Sequence, residues 1–309
     1  MYRILVVRLG SMGDVIHALP AVAALKQGFL GSHLTWVIKP QWTPLLESNP
    51  FVDQVIPFRR SASGLADLFG RLRREKFQLA VDFQGLFQSA LIARASRAEK
   101  VVGFHRTQAR ESLASFLYSH AVRTTSAHRV DSCLELASAA GASAIVNVFP
   151  IPAGSEEGSL PEGKFVLACP LAGWGSKQWP LEYYAELAAG LDMPLVVNGP
   201  PQSAATLARI AGALVHLSGI PGLIHATRRA HSVVGVDSGP LHLAAALSKP
   251  GVAIYGPTDP ASHGPYGGSL RVLRSPDAVT SYKRLTDYDP SMRAIRPADV
   301  LEALARCPA

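Results

Sequence analysis

Arg3-Ile4-Leu5-Val6-Val7-Arg8-Leu9-Gly10-Ser11-Met12-Gly13-Asp14-Val15-Ile16-His17 is the stretch on which the fold turns. Aliphatic residues suited to a strand end at an arginine, two glycines permit a tight turn, and an apolar segment follows that can wind as a helix. A strand that passes through a glycine turn into a helix opens a parallel α/β sheet. The first N–H groups of such a helix suit an anion, and Ser11 and Gly13 form the turn that would present them. The full G-x-G-x-x-G pattern is absent. The next strand candidate ends in Ile38-Lys39-Pro40 with no acid to hold a ribose, which argues against NAD.

Outward from this unit, short β-rich runs alternate with longer helical patterns along the whole chain. Strand candidates in the first half are Arg3–Val7, Leu34–Ile38, Gln54–Phe58, Leu79–Asp82 and Lys100–Gly103. Helical patterns lie at Val15–Gln27, Leu65–Glu75, Leu86–Ala95 and Val130–Ala140. The stretch Pro150 to Gly163 is rich in Pro, Gly, Ser and Glu, lacks apolar periodicity and reads as an inter-domain linker. Beyond it the alternation restarts with Phe165–Cys169, Leu195–Asn198, Leu214–Leu217, Ser232–Val236 and Val252–Tyr255. Pro297–Ala305 is a last helix with proline in its first turn. The expected architecture is α/β, with two Rossmann-like doubly wound domains at residues 1–153 and 164–290 whose strand ends can face one another across a cleft. Residues 291–309 form a C-terminal helix able to pack back toward the first domain.

The 309 residues supply about two domains at roughly 150 residues each. With 48% hydrophobic and 17% charged residues, the chain can bury sizeable cores and is not of disordered composition. Its net charge of +7 is uneven: residues 1–153 hold 17 Lys+Arg against 10 Asp+Glu, whereas residues 154–309 hold 13 of each. A basic half fits nucleic acid, an acidic membrane surface, or a phosphorylated or carboxylated substrate. Cys133, Cys169 and Cys307 lie far apart, which suggests neither a disulfide framework nor a zinc site and fits a reducing compartment. The N-terminal apolar run is too short for a signal peptide, and no uncharged apolar run reaches the roughly 18 residues of a membrane helix. The expectation is a cytoplasmic protein that at most touches a membrane from outside.

Four segments could carry chemistry. Asp14 sits where the first turn becomes helix, with His17 three residues on; it serves either as a first-turn acid favourable to the helix dipole or as a general base at the mouth of a cleft. Ala172-Gly173-Trp174-Gly175-Ser176-Lys177-Gln178-Trp179-Pro180 joins a glycine-rich backbone to one lysine, as a phosphate cradle would, although Lys177 could equally be a solvated loop residue. Val236-Asp237-Ser238-Gly239-Pro240-Leu241-His242 again runs from strand through a small polar turn into a helix, where diphosphates dock, and His242 is either a ligand contact or a structural histidine. Among the basic residues, Arg71 to Lys76 reads as a solvated helix face. Arg59, Arg60 and Arg110 follow strand or turn candidates and are better placed to clamp an anion. Asp287-Tyr288-Asp289 imitates a metal-binding D-x-D but lies in a polar segment with no strand before it.

Together, Arg8 to Pro20, Asp82-Phe83-Gln84-Gly85-Leu86, Ala109 to Ser115, Gly175 to Pro180, Val236 to Leu243 and Tyr255-Gly256-Pro257-Thr258-Asp259-Pro260 resemble the ADP-heptose:lipopolysaccharide heptosyltransferases of glycosyltransferase family 9. The Ala109 to Ser115 segment is most like the heptosyltransferase I branch. The resemblance implies a GT-B fold and an inverting, metal-independent transfer that uses no cofactor. Asp14 matches the proposed base, Lys177 the diphosphate-binding lysine, and Asp237, Ser238, Gly239 and His242 the nucleotide-binding turn. Arg110 falls on a residue implicated in binding the anionic acceptor, with Arg59 and Arg60 in a basic loop of similar role. The implied partners are ADP-heptose, a Kdo-lipid A type acceptor and the cytoplasmic face of the inner membrane, and no nucleic-acid motif competes. A relative with another acceptor or nucleotide sugar, a GT-B-like sugar-nucleotide epimerase and a non-catalytic binder stand as alternatives.

Overall fold

The computed structural model describes residues 1–144, 146 and 148–307. The chain divides into two compact units, Met1–Pro152 and Ala153–Ala309, and the division falls inside the Pro- and Gly-rich stretch. In the first unit β1 (Arg3–Val7), β2 (His33–Ile38), β3 (Gln54–Pro57), β4 (Leu79–Asp82), β5 (Lys100–Phe104) and β6 (His120–Val122) form a parallel sheet in the order β3-β2-β1-β4-β5-β6. Helices α1 (Met12–Gly28), α2 (Ala62–Arg74), α3 (Phe87–Ala95) and α4 (Arg129–Ala140) cover it. The central strands are buried on both faces, as parallel strands between helices must be, so they read as continuous aliphatic runs.

The second unit repeats the plan. Strands β7 (Val166–Cys169), β8 (Leu195–Gly199), β9 (Leu214–Leu217), β10 (Ser232–Val236), β11 (Gly251–Tyr255) and β12 (Leu270–Arg274) run in the order β12-β11-β10-β7-β8-β9. Their connections carry α5 (Leu181–Gly190), α6 (Ala204–Leu207), α7 (Ile220–Arg229), α8 (Gly239–Ala246) and α9 (Pro260–His263), and the chain closes with α10 (Pro290–Ala294) and α11 (Pro297–Ala305). In both sheets the first and fourth strands are central neighbours, where strand order reverses and a crevice opens at the carboxyl ends.

Three features go beyond the sequence reading. The edge strands β6 and β12 lie outside the strand candidates: β6 has three residues, two of them exposed, and β12 places Arg271 and Arg274 among its apolar residues. Short half-solvated edges carry little apolar signal. The segment after Ala153 is fastened to the second unit, with the Glu157 carboxylate accepting the Gly219 N–H at 2.6 Å and the His216 ring bonded to the Glu157 carbonyl at 2.5 Å. Helix α11 is part of the second unit's core. Val300 and Ala303 pack there with Trp179, Tyr184 and Leu187, Leu301 lies against Gly190 of α5, and the Trp179 indole N–H donates to the Ile295 carbonyl at 2.8 Å. An amphipathic helix gains most by burying its apolar face on the nearest open core.

Candidate functional site

In the first unit the site forms where β1 and β4 end side by side. Arg8, the residue after β1, is 1% exposed, and its guanidinium stands 2.5 Å from Asp14 Oδ1. It also donates to the backbone carbonyls of Asp14 and Phe83, so one buried cation ties the β1 turn to the β4 turn. Arg110 approaches from the loop after β5, with a guanidinium nitrogen 3.1 Å from both Asp14 oxygens. Ser11 caps α1 and donates its N–H (3.0 Å) and hydroxyl (3.1 Å) to Asp14 Oδ2. The anion that these Ser11 donors hold is therefore the chain's own carboxylate, and Gly13 is buried beside it in the first helical turn. Burial pushes the Asp14 pKa up, but the charges of Arg8, Arg110 and His17 and the Ser11 N–H outweigh it and hold the group well below the usual carboxylate range. His17 lies buried one turn on, in edge contact with His128 at 5.6 Å between ring centroids.

Asp82, the last residue of β4, is a second buried carboxylate with a different task. It accepts from the Tyr118 hydroxyl (2.7 Å), the Ser89 hydroxyl (2.8 Å) and the N–H groups of Gln84 (2.8 Å) and Gly85 (3.3 Å). Burial among neutral donors pushes its pKa up. The turn it organises supports the site: Gln84 Oε1 accepts the Leu9 N–H at 3.0 Å, and the Gly85 carbonyl accepts the Glu111 N–H at 3.0 Å. Gly85 has φ +72°, and a Cβ there would come within 3.3 Å of the Ala109 Cα and the Arg110 nitrogen. The Asp82 to Leu86 motif is thus the support against which the Arg110 loop is set. Gly10 is required for a similar reason, since at φ +131° a Cβ would lie 2.3 Å from the Trp42 indole nitrogen.

Arg59 and Arg60 are exposed after β3, the edge strand two places from β1. Arg59 lines a separate cavity of about 350 Å³ with Pro40, Thr43, Gly64 and Asp67. The structure therefore joins Arg110 to Asp14 and leaves Arg59 and Arg60 apart.

In the second unit the loops after β7 and β10 meet in the same topological position. Lys177, in a short 3-10 turn, places Nζ 2.5 Å from Asp237 Oδ2 and 4.2 Å from the Trp174 ring centroid. His242, in the first turn of α8, brings Nε2 to 3.6 Å from Asp237 Oδ1. Burial again pushes the carboxylate up, and the His242 hydrogen bond and the Lys177 charge more than reverse it, so Asp237 is held below its ordinary pKa. Ser238 is the N-cap of α8, ahead of Gly239. Among the described residues the hydroxyls of Ser176, Ser238 and Thr258 are buried without a hydrogen-bond partner, and they come from the loops after β7, β10 and β11. Orphaned hydroxyls at three neighbouring strand ends suit an oxygen-rich ligand, because leaving a buried donor unmade is costly. Asp289 of the D-x-D imitation caps α10, accepting from the N–H (3.0 Å) and hydroxyl (2.5 Å) of Ser291. No group of three or more His, Cys, Asp or Glu among the described residues is placed to hold a metal.

Arg8, Ser176 and Thr258 are the participants that sequence reasoning assigned no role. A single arginine after a strand looks like a charged strand end, and a hydroxyl's missing partner exists only in three dimensions.

The model of the family described as glycosyltransferase family 9 (heptosyltransferase) matches residues 65–289. The chain belongs to this family. The match takes in Arg110, Lys177 and the Asp237 turn and begins after Asp14. Lipopolysaccharide heptosyltransferase 1 of Pseudomonas aeruginosa is 31% identical over 94% of this chain and 88% of its own length. The Escherichia coli K12 protein of the same description is 30% identical over 89% of this chain and 94% of its own. The structure of E. coli heptosyltransferase WaaC with ADP-2-deoxy-2-fluoro heptose superposes with a TM-score of 0.72 at 28% identity, covering 89% of this chain and 93% of that one. Two Rossmann-type parallel units are the GT-B architecture of these family members.

Proposed function

We propose that this chain is an inverting glycosyltransferase that moves heptose from ADP-heptose to the Kdo region of the lipopolysaccharide inner core. Family membership supports the reaction class, and the observation that carries the mechanism is Asp14, a buried carboxylate held between Arg8 and Arg110 at the carboxyl end of the sheet. The acceptor hydroxyl attacks the anomeric carbon, its proton passes to Asp14, and the bond to the diphosphate oxygen breaks to release ADP. A carboxylate with two cationic partners is ionised throughout the neutral range but is a weak base. An acidic acceptor changes that. Its carboxylate or phosphate competes for the half-exposed Arg110, Asp14 keeps Arg8 as its one arginine partner, and its basicity rises as the hydroxyl arrives. Arg59 and Arg60, set apart from Asp14, would meet more distant charges of the acceptor.

In the second unit Lys177, the orphaned hydroxyls and the N-terminal end of α8 would receive the diphosphate, with Asp237 and His242 holding Lys177 and the turn in place. These groups supply the charge stabilisation that the leaving group needs, so the transfer is read as metal-independent. Turnover unchanged by a chelator is the expected result. The excess positive charge of the first half suits a phosphorylated, Kdo-bearing acceptor at the cytoplasmic face of the inner membrane.

The deciding experiment incubates the protein with ADP-heptose and Kdo-lipid A and follows ADP release together with the acceptor mass. An increment of one heptose is expected. Product from a different nucleotide sugar only, or conversion of the nucleotide sugar without any acceptor, would overturn the assignment.

A further inference from the structure

We infer that the first unit docks on an anionic lipid bilayer through an apolar patch built by α3 and the 3-10 helix Ser112–Leu117. Four large apolar side chains stand in solvent there: Phe116 is 74% exposed, Leu113 62%, Phe87 45% and Leu91 36%. Their placement is regular. Phe87 and Leu91 are one helical turn apart on the outer face of α3. Leu113 and Phe116 are three apart on a 3-10 helix, where such positions eclipse one another.

The two elements are bound through their opposite faces. Ala114 and Leu117 of the 3-10 helix pack into the cluster that holds Ala90, Ile92 and Ala93 of α3. The Phe87 N–H donates to Glu111 at 2.6 Å, which sets the start of α3 beside the start of the 3-10 helix. The four outer side chains are therefore held on a rigid support with no core of their own, and a grouped apolar patch of this kind marks an interaction surface rather than scattered exposure.

Charge selects the occupant. Arg94 continues the Phe87 and Leu91 face of α3, Arg97 lies in the turn after it, and Arg106 and Arg110 stand on the loop that leads into the 3-10 helix; all four are exposed. Glu111, the acid beside the patch, is engaged with the Phe87 N–H. Aromatic and leucine side chains ringed by arginine match the interfacial region of an anionic membrane, where apolar groups enter the acyl boundary and guanidinium groups stay with the headgroups. Arg110 both borders the patch and reaches Asp14, so docking here brings a lipid-linked sugar acceptor to the base at headgroup level. The orientation rests on the acceptor proposed above, but the surface can be tested without it.

The test is co-sedimentation of the full chain with vesicles of phosphatidylcholine alone and of phosphatidylcholine with phosphatidylglycerol at about 2:1. The vesicles contain neither acceptor nor donor, so failure to bind sinks the docking surface and failure of heptose transfer sinks the function, independently. Wild-type protein should bind the anionic vesicles, bind the neutral ones much more weakly, and dissociate at high salt. Leu113→Ser/Phe116→Ser should weaken anionic-vesicle partition by about tenfold or more, the scale expected for losing large apolar groups from the interface. Arg94→Gln/Arg106→Gln should weaken it by several-fold and flatten its salt dependence. Because all four side chains are exposed, both variants should melt as wild type and keep turnover on a water-soluble, deacylated acceptor. Equal binding of wild type and the Leu113/Phe116 variant, or self-association through the patch with no vesicle binding, would overturn the inference.

Discussion

Asp82 and Asp237 stand at the same place in two copies of one topology, at the end of the fourth strand beside the first, yet their environments drive them in opposite directions. Asp82 sits among neutral donors and burial raises its pKa, while Asp237 faces Lys177 and His242 and is lowered. The segments after the first strands differ as well: the first unit sets the acid Asp14, in the first turn of α1, against Arg8, and the second sets the cation Lys177 against Asp237. The scaffold supplies the position and the partner decides the chemistry. In the proposed reaction the first unit's buried acid would activate the hydroxyl, and the second unit's cation would receive the departing diphosphate.

Asp14→Asn gives the largest expected effect and tests the first side of this contrast. Turnover should fall by about 10²–10⁴-fold, the contribution of a positioned base. ADP affinity should be unchanged, because the groups proposed to bind the nucleotide belong to the other unit. Asparagine leaves Arg8 buried without its counter-charge but still bonded to two carbonyls, so kinetics belong well below the variant's lowered melting temperature. Near-normal turnover would remove Asp14 from the chemistry.

Arg8→Met breaks the buried pair from the other side. Leaving Asp14 as a buried anion with only a half-exposed arginine should cost about 3–5 kcal/mol in denaturant unfolding. A loss below about 1 kcal/mol, the level of a surface pair, would show that Arg8 does not lock the two turns. Lys177→Met should act differently, because Asp237 keeps His242. Calorimetry should show ADP affinity reduced by about 10–10²-fold, the worth of a charge-assisted hydrogen bond, with a smaller stability loss than Arg8→Met. Equal loss of ADP affinity in the two variants would erase the division of labour.

Arg110→Ala is the mildest test and the most specific. Acceptor KM should rise by about tenfold, the scale of one exposed charge contact, while donor KM stays within error. Removing one cation raises the pKa of Asp14, so the acidic limb of kcat/KM must move to higher pH. An acidic limb that stays in place, or equal changes in both KM values, would separate Arg110 from the base.

The sequence by itself determined the architecture and pointed to most of the residues that the structure gathers at the strand ends of each unit. Strands buried on both faces must be continuous aliphatic runs, and the turns that follow them need glycine and small polar residues, so both signals are local. Edge strands β6 and β12, half in water, escaped this logic, and α11 could not be assigned to a core from its pattern alone. Only the tertiary structure decided that Arg8 and Arg110, more than one hundred positions apart in sequence numbering, share one carboxylate. It alone separated Arg59 and Arg60 from that pair and made Asp82 a support rather than an acid of the site. Ion pairing and desolvation depend on distance and burial across segments remote in sequence, and no run of neighbouring residues records either.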